Sequence, residues 1–134
     1  METGNRRQTT NVAFAVTQEG QKMVTPQSVE NKLVALSKEV DESHKFLEDA
    51  EYKYHTAKSD YEIAMAGSRL ALGKEKLRVQ DVQDIALTTN AHLYRVLNTA
   101  EATAKAARAN ATRIRTQVDI ARSVGTSVRA SLEL

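Results

Sequence analysis

Residues 97–121 read LNTAEATAKAARANATRIRTQVDIA. Within them Leu97, Ala100, Ala104, Ala107, Ala111, Ile114, Val118 and Ala121 fall on alternating steps of three and four. A sustained 3.5-residue period sets one narrow apolar stripe along a helix, against a partner helix. Most of this stripe is alanine, so the two backbones must approach closely. The period extends outward to Leu93 on one side and to Gly125, Val128 and Leu132 on the other.

A second seam with the same steps precedes it. Val29, Leu33, Leu36, Val40, Leu47, Ala50, Tyr54, Ala57, Tyr61, Ala64, Ser68 and Ala71 keep the period, and polar Ser43 fills one slot. Thr25 suits an N-cap and Pro26 the first helical position, where a missing N–H costs nothing. Gly73 is the natural stop. The spacing predicts a helix over 26–72, a connection over 73–80 and a second helix over 81–132. Gly125 falls on the seam, and the period beyond it favours continuation over a stop. Long helices joined by a short connection lie antiparallel. The predicted fold is therefore all-α, a long coiled-coil-like two-helix hairpin. Residues 1–25, rich in Thr, Asn, Gln and Gly, read as a flexible arm, with a short strand or docking peptide around Val12, Phe14 and Val16 as the alternative.

Charge predicts a register. Glu101, Arg108, Arg115, Arg122 and Arg129 are seven apart, each following a seam residue, and Glu30, Ser37, His44, Glu51 and Lys58 hold the same place on the first helix. Antiparallel alignment pairs Glu30 with Arg129, Ser37 with Arg122, His44 with Arg115, Glu51 with Arg108 and Lys58 with Glu101. Exposed pairs contribute only ~0–1 kcal/mol each, so the pattern selects alignment more than it stabilises. On a coarser scale, residues 30–62 carry nine acids and five lysines, whereas 97–134 carry six bases and three acids.

Composition narrows the function classes. The chain of 134 residues has one Pro, five Gly, no Cys and a net charge of +2. Without cysteine there is no disulfide framework, thiolate metal site or cysteine nucleophile. No run approaches a membrane span, and Met1–Gly20 lacks the basic start and apolar block of a secretory signal. The expected location is the cytoplasm, away from membranes. His44, His55 and His92 do not form the repeated Glu-x-x-His pattern of a di-iron bundle, and no phosphate loop, nucleophile elbow or zincin motif occurs. Neither catalytic residues nor a cofactor or metal are expected.

Two kinds of binding surface remain. Arg108, Arg113, Arg115, Arg122 and Arg129 are candidate phosphate contacts for a nucleic acid, although the stripe has no interleaved aromatic for base stacking. The plainer reading is that these arginines pair with the acidic helix. Apolar residues off the seam form the second surface: Phe46, Tyr52, Ile63, Met65, Leu70, Ile85, Tyr94, Val96 and Ile120. A thin alanine core seldom stabilises a small chain alone. Self-association into a bundle is expected, with Phe14, Phe46, Tyr52, Ile63 and Tyr94 as the oligomer or partner surface.

The stretches Glu48–His55 (EDAEYKYH), Ala57–Tyr61 (AKSDY), Ala111–Val118 (ATRIRTQV) and Ala121–Arg129 (ARSVGTSVR) resemble those of small all-helical phage proteins of siphophages infecting Gram-positive hosts. An acidic, Tyr/Ala-rich first helix and an Arg-rich end to the second carry the resemblance. It implies a phage-encoded protein of the host cytoplasm with an accessory role in DNA recombination or replication. No functional residue carries over. The expected function is a non-enzymatic, oligomeric binding or scaffolding module. The alternatives are an inhibitor of a host defence or nuclease protein, and a virion assembly or scaffolding protein.

Overall fold

The computed structural model describes residues 24–133. They form three helices and no strand: α1, Pro26–Leu72; α2, Val79–Thr89; and α3, Ala91–Leu132. The predicted arm over residues 1–25, Phe14 included, lies outside the described residues except for its last two.

The start of α1 is fixed by reciprocal capping. Thr25 Oγ1 accepts from the Ser28 N–H at 3.1 Å, and Ser28 Oγ accepts from the Thr25 N–H at 3.0 Å. This is a capping box with serine in the place of Glu or Gln. At the other end the Gly73 N–H reaches the Arg69 carbonyl at 2.8 Å. A Cβ on residue 73 would stand 3.2 Å from that same oxygen, so glycine suits the tight close.

The second helical stretch differs from expectation in two ways. It starts at Val79 rather than Asp81, because extended Arg78 is the cap and its carbonyl accepts from Val82 at 3.0 Å. It is also interrupted at Asn90, which has φ −106° and ψ 24°. The Asn90 side-chain amide donates to the Ala86 carbonyl at 2.8 Å and to Ser68 Oγ of α1 at 2.9 Å. A side chain that bonds the preceding turn competes with regular helix, and the tie to Ser68 holds the break in place. α3 resumes at once and runs through Gly125 to Leu132.

Burial follows the seams within each of two compact units. In the unit of residues 24–42 and 112–133, Val29, Leu36, Ile114, Ala121 and Gly125 are buried. Val29 and Leu36 are its fully enclosed large side chains. In the unit of residues 43–111 the core is smaller-grained. Ala50, Ala104 and Ala107 form one buried cluster, with Leu47 and Tyr54 packed on it. Its contacts run in opposite senses along the two helices: Glu51 meets Arg108, Tyr61 meets Tyr94 and Ser68 meets Asn90. Ser43 is buried in its seam slot, and its hydroxyl has no hydrogen-bond partner.

Two assignments need correction. Met65, expected among the apolar residues off the seam, is buried, because the Asn90 amide lies 3.6 Å from its sulfur and α2 buries Ala86 nearby. Ala71 and Leu132, placed on the seam, are exposed at the ends of their helices.

Candidate functional site

Of the arginine edge, Arg108 has a structural partner. Its Nε and Nη2 donate to the two carboxylate oxygens of Glu51, the second at 2.8 Å. Its guanidinium lies 5.9 Å from the Tyr54 ring centroid. A planar fork meeting both carboxylate oxygens is the strong form of this contact. It holds the Glu51 carboxyl below the usual carboxylate range and raises Arg108 further. His55, one turn along α1, stands 3.8 Å from Glu51. The Glu51–Arg108 register is the aligned one.

The outer expected pairs are not formed among the described residues. Glu101 pairs along its own helix with Lys105 at 3.6 Å rather than with Lys58. Arg129 folds back over Gly125, its Nη1 3.6 Å from where a Cβ there would stand, rather than meeting Glu30. Surface ion pairs within one turn need less side-chain ordering than pairs across helices, which favours Lys105 as the partner of Glu101. Arg113, Arg115 and Arg122 are exposed on α3.

The apolar candidates divide. Phe46 and Tyr52 are exposed and line an open groove of about 740 Å³ between α1 and α3, wholly within residues 43–111. Ile63 is exposed but does not line it. Tyr94 is partly taken up by Tyr61, with ring centroids 5.6 Å apart. Ala50, Ala57 and Ala100 contribute to the lining, with Thr56, Thr99 and Thr103 among them. The rims are polar: Asp49, Lys53 and Asp60 on α1, His92 and Arg95 on α3. Val96, exposed on the α3 side, completes it.

Lys53, Asp60 and Arg95 are among the groove residues that sequence reasoning did not single out. Their signal is their place beside seam residues Tyr54, Tyr61 and the Leu93–Leu97 step, where coiled-coil flanks carry charge. Among the described residues no group of three or more His, Cys, Asp or Glu side chains stands ready for a metal ion. No described helix is long and apolar enough to cross a membrane. In comparisons with known proteins, no family model matches the chain, and no curated protein or solved structure is significantly similar to it.

Proposed function

We propose that the chain is a non-enzymatic helical hairpin that works as a homo-oligomeric binding or scaffolding module. One observation carries this reading. An open groove floored by small residues lies between α1 and α3, with Phe46, Tyr52 and Val96 exposed along it. Apolar area removed from water stabilises by ~25 cal/mol per Å², and a helix pair with an alanine core has little of it buried already. A partner helix laid in the groove would supply more. Size-exclusion chromatography with light scattering on the full chain tests the reading. The expected result is a mass above that of one chain at micromolar concentration; a well-folded monomer there contradicts it.

Exposure of Arg115 and Arg122 favours a second reading, nucleic-acid binding. Neither side chain forms an ion pair among the described residues. This reading carries the accessory role in phage DNA recombination or replication implied by the resemblance of Glu48–His55, Ala57–Tyr61, Ala111–Val118 and Ala121–Arg129. A phage-encoded origin and a place in the host cytoplasm belong to the same proposal. Arg115→Glu with Arg122→Glu should leave the thermal melt near wild type while abolishing DNA affinity and flattening its salt dependence. Absence of wild-type DNA binding at ~50 mM salt, where phosphate contacts are strong, removes the reading.

A further inference from the structure

Resting on the self-association reading, we propose that a second copy of the chain occupies the groove of residues 43–111. A two-fold axis along the groove lays each α1 wall on the α3 wall of the other copy.

Charge selects this arrangement. On the α1 wall Lys53 and Asp49 are paired at 2.9 Å, which leaves Asp60 as the uncompensated charge. The α3 wall offers Arg95 and no acid. Among the described residues neither Asp60 nor Arg95 forms an ion pair within the chain. Both stand at the same height along the groove, since their chain neighbours Tyr61 and Tyr94 touch ring to ring. A two-fold axis along the groove preserves height and exchanges the walls. Asp60 of each copy then faces Arg95 of the other, twice over by symmetry. An axis across the groove would instead run α1 against α1 and α3 against α3, and lay Arg95 on a wall that offers no acid. The same arrangement covers Phe46 and Val96, and Ala50, Ala57 and Ala100 permit close approach of the second helix pair.

Reciprocal charge reversal tests the proposal on the full chain, by native mass spectrometry and sedimentation. Asp60→Arg alone sets two Arg–Arg contacts across the interface, and Arg95→Asp alone sets two Asp–Asp contacts. Each should weaken self-association by about tenfold or more. Mixed together, the two variants restore both opposite-charge contacts, so the heterodimer should exceed either homodimer. At a dilution where wild type is dissociated too, their melts should match it, because neither charge has a partner within the chain and association no longer contributes. Neutral Asp60→Asn and Arg95→Gln, with smaller losses of affinity, cover failure of a reversed variant to fold. Variants that associate as well as wild type, or a mixture that shows no heterodimer preference, would overturn this interface while leaving self-association standing. A wild-type chain that stays monomeric would overturn both, as it would if the groove takes a helix of another protein.

Discussion

Ser43 occupies a seam slot between Val40 and Leu47, buried and without a hydrogen-bond partner. A buried hydroxyl left unpaired carries a desolvation cost of about 1–3 kcal/mol, and serine is also a poorer helix former than alanine. Ser43→Ala should therefore raise stability by about 1 kcal/mol, measured in urea melts; a loss of stability would show that the hydroxyl has a partner. Glu51 and Arg108 behave differently, because their contact is charge-assisted and solvent-exposed. Arg108 donates to the Glu51 carboxylate, and this lowers the Glu51 pKa. A depressed folded-state pKa means that the contribution is present above the unfolded value of about 4.3 and is lost as pH falls through the lowered one. Glu51→Gln should thus lose stability at neutral pH and show a shallower decline in acid than wild type. Parallel pH–stability curves for the two would contradict the assignment.

Along the helices, the two internal glycines should respond in opposite directions. Gly67 lies in α1 with nothing within 4 Å of an added Cβ, so Gly67→Ala should gain about 0.5–1 kcal/mol from helix propensity. A Cβ on Gly125 would stand 3.0 Å from Val29 Cγ1. Val29 is buried and stiff at χ1, so Gly125→Ala should lower the melting temperature despite the same propensity gain. Ala107→Leu, in the buried cluster with Ala50 and Ala104, should cost about 1–3 kcal/mol through overpacking. A neutral result would place Ala107 outside the contact. Ala107 and Gly125 were legible in the sequence because steps of three and four name a helix face directly. The break at Asn90 was not legible, since Thr88-Thr89-Asn90 is compatible with a continuous helix. What makes the break is a hydrogen bond to Ser68, twenty-two residues away. Burial of Met65 escaped for the same reason, as it depends on where α2 lies. At the candidate site, exposure of Phe46 and Tyr52 followed from their place off the seam. The opposed charges of Asp60 and Arg95 gained meaning only when the Tyr61–Tyr94 contact set them at one height.

For the whole molecule, the proposed hairpin and the groove depend on the same pairing. If α1 meets α3 of its own chain through Ala50, Ala104 and Ala107, the groove is a surface of one chain and a second copy can dock onto it. If the seam instead joins helices of two chains, every surface beside it is already intermolecular. The absence of cysteine makes disulfide trapping a clean test. Ala50 and Ala107 share one buried cluster, and closing a disulfide between them requires a Cβ separation of about 3.5–4.5 Å. Ala50→Cys with Ala107→Cys, oxidised at high dilution, should close within the chain. On a denaturing gel it should run as a faster single-chain band, while exposed Tyr52→Cys with Ala107→Cys should not. Crosslinking of the Ala50→Cys/Ala107→Cys chain only into covalent dimers, even at high dilution, would contradict an intrachain seam.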